Sequence, residues 1–236
     1  MTGKLFLIPT PIGTDNLAWV LPPAVQQCAA EISHYIVEHP KTARQFLKQL
    51  NSQHALQAIS MQILDEHTPE KDLPKLLDPL IAGQHVGLIA EAGCPGIADP
   101  GAALIRLAHR QNITVVPFVG PSSIVVALMA SGLNGQCFIF HGYLPIENTA
   151  RTSKIITMEK DSIRLQQTQI FIETPYRNQK LLEQLVSACQ IQTDLCIASA
   201  LMSGNESIIT RSIQQWRSAM PTIEKVPAIY LLQGRP

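Results

Sequence analysis

The chain has no excess of charge of either sign: 18 Lys and Arg balance 18 Asp and Glu. A basic field over the whole molecule, of the kind that gathers nucleic acid, is thereby excluded, although a local basic patch is not. Cysteine is sparse. Cys28, Cys94, Cys137, Cys189 and Cys196 are odd in number and never form a CxxC pair. That argues against a disulfide framework and a zinc ribbon, and for reduced thiols. The seven histidines are scattered without ligand spacing, so no metal is expected. No apolar run is long enough to span a membrane, and the apolar run within Met1–Pro9 is too short for a signal peptide. A soluble, cytoplasmic protein is expected. The dinucleotide fingerprint GxGxxG, the phosphate loop GxxxxGK[ST] and the nucleophile elbow GxSxG are all missing.

What is present is apolar sequence punctuated by proline and glycine. At 46% hydrophobic over 236 residues, the chain can fill one large core or two compact ones. Its most informative stretch is Ala90 to Gly101, AEAGCPGIADPG. It follows the apolar run Val86–Ala90, which reads as a buried strand, and it precedes a helical pattern from about Ala102. Three glycines and two prolines shape a turn whose backbone can approach a ligand closely. Ligands of parallel α/β sheets sit at the carboxyl ends of strands, so a small-molecule site is expected here.

The rest of the chain alternates in the same way. Strands are expected at Leu5–Ile8, Tyr35–Val37, Ile113–Phe118, Cys137–Phe140, Ile170–Ile172, Leu195–Ala198 and Ala228–Leu232. Helices are expected from Pro22-Pro23 to about Ala30, over Lys41–Leu50, and over Ile124–Ala130. Another starts at Asp72, carries Leu73, Leu76, Leu77, Leu80 and Ile81 on one face, and is closed by Gly83. The helix after Pro175 packs through Leu181, Leu182, Leu185 and Val186. Residues 55–64 suit a strand or a helix. Residues 146–168, with Arg151, Lys154, Lys160 and Arg164, read as a loop or exposed helix and form the one local basic segment. The pattern implies parallel α/β layers, with a second half that is mixed or antiparallel. Residues 118–121 are the expected seam, giving domains 1–118 and 119–236.

Glu38, Glu91 and Glu173 each end an apolar strand, where a carboxylate is either a site residue or half of a salt bridge. Asp99 reads equally as a loop brace and as a ligand contact. Cys94 has no neighbouring His or Lys to activate it, so packing is the simpler role. Ser122 is either a helix N-cap or part of a ligand-facing helix end. Arg177 either binds an anion or pairs with Glu173.

Five segments occur together and in order: LFLIPTPIG (5–13), AEAGCPGIADPG (90–101), GPSSIVVALMASGL (120–133), FHGYLP (140–145) and IFIETPYR (170–177). In these the chain resembles the tetrapyrrole methylase superfamily of S-adenosylmethionine-dependent methyltransferases. Within it, the chain is similar to the branch that methylates the cytidine ribose 2′-hydroxyl of small-subunit ribosomal RNA. The resemblance implies an α/β, two-domain tetrapyrrole methylase-like fold, distinct from the Rossmann-type methyltransferases, usually as a homodimer. It implies S-adenosylmethionine as cofactor and no metal. By position, Ile12, Ala92, Gly93, Cys94, Ile97, Ser122, Ser123, Glu173 and Leu201 fall on cofactor contacts. A ribose hydroxyl needs a base, and Glu38, Asp99 and Glu173 are the candidates. The chain departs from the RNA-modifying branch in two charged stretches, which here read Glu38-His39-Pro40-Lys41-Thr42 and Ala198-Ser199-Ala200-Leu201-Met202-Ser203. The alternatives are a tetrapyrrole-like acceptor, a cofactor-binding sensor or scaffold without catalysis, and an unrelated α/β enzyme for another nucleotide.

Overall fold

The computed structural model describes residues 2–14 and 16–235. The chain divides into two compact units, Met1–Ser122 and Ser123–Pro236, and each is built on its own five-stranded sheet.

The first sheet holds β1 (Lys4–Ile8), β2 (His34–Val37), β3 (Ser60–Ile63), β4 (Val86–Ile89) and β5 (Thr114–Pro117). Their order is β3-β2-β4-β1-β5, and every pairing is parallel. Strands covered on both faces read as continuous apolar runs, and all four residues of β4 are buried. Successive side chains feed opposite cores. Tyr35 and Val37 join one cluster, with α2 (Pro23–Glu31) and α3 (Pro40–Gln49). Ile36 joins the other, with α4 (Leu73–Leu76), α5 (Asp78–Ile81) and α6 (Gly101–Arg110). The short α1 (Leu17–Val20) adds Leu17 to the first of these.

The helix expected from Asp72 to Gly83 is instead three short pieces: a 3-10 turn over Glu70–Asp72, then α4, then α5. Pro74 and Pro79 are the reason. Each lacks the amide that a continuous helix uses, and its ring crowds the preceding turn. The leucines still reach the core, but Ile81 is 55% exposed. Residues 55–64 resolve as a loop and β3, an edge strand.

Gly87 in β4 is a packing requirement. A Cβ there would lie 2.6 Å from Tyr35 Cε1 and 2.8 Å from Ile8 Cδ1. Gly87→Ala is expected to cost about 1–3 kcal/mol through overpacking, read as a lower urea midpoint at unchanged slope.

The second sheet holds β6 (Phe138–Tyr143), β7 (Thr168–Glu173), β8 (Asp194–Ser199), β9 (Ser207–Ser212) and β10 (Ala228–Gln233), in the order β6-β7-β10-β8-β9. It is mixed: β6 and β7 are parallel, and the other neighbours antiparallel. On β10, Ile229 and Leu231 face α7 (Ser123–Ser131), whose Ala127 and Leu128 share their cluster. Tyr230 and Leu232 face α8 (Asn148–Leu165), α9 (Asn178–Ala188) and α10 (Ile213–Ser218). Residues 146–168 are therefore mostly one long helix. Its start is capped by Glu147, whose carboxylate accepts from the amides of Thr149 at 2.8 Å and Ala150 at 2.5 Å.

The basic segment shrinks in the structure. Arg151 is buried, and its guanidinium donates to Gln184 and to Asn148. Arg164 is paired with Asp161 at 2.8 Å. Helical spacing turns these charges to different faces, which a linear count of basic residues does not register.

Candidate active site

The site begins with strand order. β1 and β4 lie side by side, yet the chain leaves β1 toward β2 and leaves β4 toward β5, on opposite sides. Such a switch point opens a crevice at the strands' carboxyl ends. The two loops there are tied together. The amide of Thr10 donates to the Gly93 carbonyl at 2.9 Å, and the Gly93 amide returns a bond to Thr10 at 3.1 Å. The Thr10 hydroxyl donates to the Ala90 carbonyl at 3.1 Å.

The loop after β4 owes its shape to left-handed residues at Gly93 (φ 79°), Gly96 (φ 82°) and Ala98 (φ 61°). Asp99 holds it. Its Oδ1 accepts from the amides of Gly96 and Gly101, both at 2.8 Å, and its Oδ2 accepts from Gly96 at 2.9 Å. These bonds put Asp99 in the bracing role. Burial pushes its carboxyl up, against the pull of those amides. The folded carboxyl thus keeps its proton to higher pH than the unfolded value of about 3.9. The folded state binds more protons in that window, so stability falls as pH rises through it. Asp99→Asn is expected to flatten this fall in unfolding curves taken from about pH 3.5 to 7. Asp99→Ala, which strands two amides, is expected to cost about 1–3 kcal/mol at neutral pH.

Among the other residues expected to meet the cofactor, Ile12 is buried, and its Cγ2 lies 3.8 Å from where a Cβ added at Gly93 would sit. Cys94 lies with its thiol 3.2 Å from the Pro121 carbonyl, to which it donates, and burial pushes the thiol up. A thiol held protonated is a poor nucleophile. Ala92 is exposed and Ile97 is 50% exposed. Ser122 closes the first unit, and Ser123 opens the second as the first residue of α7.

In the second unit, Glu173 ends β7 fully buried. Its Oε1 accepts from the Thr174 amide at 2.7 Å and from Arg177 Nη2 at 2.6 Å. Arg177 is thus its ion-pair partner. Glu173 Oε2 is buried and has no hydrogen-bond partner among the described residues. Leu201 packs into the α7-side core, between Ala200 (φ 50°) and Met202 (φ 63°). The turn is held by Glu206, which accepts the Met202 amide at 2.7 Å.

Glu38 stands at the end of β2, next to β4. Its Oε1 accepts from the Glu91 amide at 3.4 Å, and its other oxygen has no partner among the described residues. Burial pushes this carboxyl up, and the nearby charges of Asp99 and Glu91 add to the rise. Sequence reading missed Thr42, whose hydroxyl donates to Glu91 Oε1 at 2.6 Å. A threonine in the first turn of a helix carries no signal that it will meet a loop 49 residues away.

S-adenosylmethionine fits the residues of the first unit's loop after β4. The β4 loop has no lysine or arginine to oppose a sulfonium, Gly93 and Gly96 leave its backbone bare, and Ala92 and Ile97 offer small or apolar contact. In the second unit, taken by itself, Glu173 Oε2 is a buried acceptor with no donor among the described residues. Among the described residues, no cluster of His, Cys, Asp or Glu suits a metal, and no helix is long and apolar enough to cross a membrane.

No protein-family model matches the chain. It is 30% identical over 204 residues to the ribosomal RNA small subunit methyltransferase I of Vibrio cholerae, covering 86% of this chain and 67% of that protein. It is 27% identical over 250 residues to the protein of the same name from Pasteurella multocida, covering 100% and 80%. Among solved structures it matches the methyltransferase CobJ, with TM-score 0.64, 16% identity, and 99% and 95% of the two chains covered. It also matches the cobalt precorrin-4 methyltransferase CbiF, with TM-score 0.61, 14% identity, and 98% and 94% covered. At these identities the structural matches establish a shared fold.

Proposed function

Because this chain belongs to the ribosomal RNA small subunit methyltransferase I family of tetrapyrrole methylases, we propose that it methylates a ribose 2′-hydroxyl of small-subunit ribosomal RNA. It is an S-adenosylmethionine-dependent methyltransferase. The observation that carries the reading is the pair of loops joined through Thr10 and Gly93 at the switch point of the first sheet.

S-adenosylmethionine, when bound, supplies a methyl group already made electrophilic by its positive sulfur. In this reading Ile12, Ala92, Gly93, Cys94, Ile97 and Ser122 are the cofactor contacts of the first unit, and Ser123, Glu173 and Leu201 are the contacts that the family resemblance implies for the second. The remaining work of the chain is to align the acceptor, exclude water and take the hydroxyl proton. Glu38 is the base in this reading. Of the three candidate carboxylates, Asp99 is held on both oxygens by backbone amides and Glu173 is bound to Arg177. Glu38, like Glu173, keeps an oxygen without a partner among the described residues, but it is not ion-paired there as Glu173 is, and burial pushes its carboxyl up. A homodimer and a cytoplasmic location complete the proposal; light scattering that finds one chain per particle would remove the dimer.

The test is transfer of labelled methyl from S-adenosylmethionine to ribosomal subunits from cells lacking this protein. Label is expected in small-subunit RNA, on a ribose, as a nuclease-resistant linkage. Absence of label in any RNA, from folded protein that binds the cofactor, would overturn the reading.

A further inference from the structure

Beside the two loops, wholly within the first unit, lies a cleft of about 250 Å³ at the carboxyl ends of β1, β2 and β4. Pockets for drug-sized ligands measure about 300–1,000 Å³, so this cleft has room for one ring system and not for a whole cofactor. Its floor is apolar: Val37, Phe46 and Ile89 are all buried. Gln45 and Gln49 line it from α3, both exposed and one helical turn apart. Each amide offers donors and an acceptor on one planar group. The Thr10 hydroxyl gives its proton to Ala90 and keeps lone pairs for a donor.

Charge narrows the occupant. No lysine or arginine lines the cleft among the described residues, and Glu91 stands at its edge. A phosphate or carboxylate would meet an acid and no cation. An apolar floor with neutral donors and acceptors above it suits an uncharged heterocycle.

We propose that this cleft seats the base of the acceptor nucleotide, with Gln45 and Gln49 reading its edge. The proposal rests on the methyltransferase reading above and assigns the place of the acceptor within it. Glu91 links the cleft to the proposed proton acceptor, since its amide donates to Glu38 and its side chain lines the rim. A base seated here leaves its sugar on the Glu38 side.

The test uses ¹⁵N-labelled protein saturated with S-adenosylhomocysteine and titrated with cytidine, with uridine, and separately with inorganic phosphate. The side-chain amide resonances of Gln45 and Gln49 are expected to move with a nucleoside and to ignore phosphate. In the Gln45→Leu/Gln49→Leu variant, nucleoside affinity and kcat/KM for RNA should each fall at least about tenfold, with S-adenosylhomocysteine affinity unchanged. Three results overturn the proposal: phosphate moving the glutamines, a nucleoside displacing S-adenosylhomocysteine without moving them, or full RNA methylation by the double variant. If the nucleosides move the glutamines while the wild type methylates no RNA, the cleft assignment stands and the ribosomal RNA reading fails.

Discussion

Glu38→Gln is expected to lower kcat/KM for methyl transfer about 100-fold or more, within the range for loss of a positioned general base, while leaving S-adenosylhomocysteine affinity unchanged. The amide keeps the shape of the carboxylate and can still accept the Glu91 amide, so the fold loses little. What it cannot do is take a proton. The pH dependence separates this from mere disturbance. In the wild type, transfer rises with pH as the Glu38 carboxyl ionises, and burial places that limb above the ordinary glutamate value of about 4.3. The variant should show a low rate without that limb. Initial rates with labelled cofactor across pH measure both. A variant that retains the limb would move the base elsewhere, and one with wild-type rates would remove the need for a base at this position.

Ile97→Arg should weaken S-adenosylmethionine binding on the order of 1,000-fold without unfolding the protein. Ile97 is 50% exposed, so no core packing is at stake, and the left-handed backbone lies at Ala98. The new guanidinium enters a loop that carries no lysine or arginine and meets a cationic ligand. Two like charges about 4 Å apart at an effective dielectric near 20 repel by about 4 kcal/mol, which is roughly three powers of ten in affinity. S-adenosylhomocysteine, whose sulfur is neutral, should lose less. Calorimetric titration of both ligands, with thermal unfolding as the control, measures the difference. Equal losses would make the effect steric, and no loss would take the loop after β4 out of the cofactor site.

The sequence by itself determined the number and kind of most elements. Runs such as Val86–Ile89 and Ile170–Ile172 are apolar without alternation because both of their faces are buried, and that is a local property of composition. It determined the loops as well, since proline and glycine at Pro9–Gly13 and Ala90–Gly101 act on their own backbone. It also placed acidic residues at the ends of strands, Glu38 just after β2 and Glu173 at the end of β7. Tertiary structure decided the rest, because the rest depends on partners distant in the chain. β9 was invisible because SIITRS is an edge strand, with one neighbour and no steady alternation of buried and exposed residues. The helix after Asp72 broke because two prolines outweighed a regular leucine stripe. Arg151 left the expected basic surface because Gln184 and Asn148 satisfy it inside. The three acids differ only in what each one meets: backbone amides at Asp99, an arginine at Glu173, and the Glu91 amide with no ion pair at Glu38. Hydrogen bonding and desolvation set those differences, and both are fixed by strand order and loop contact, which a linear pattern of residues does not encode.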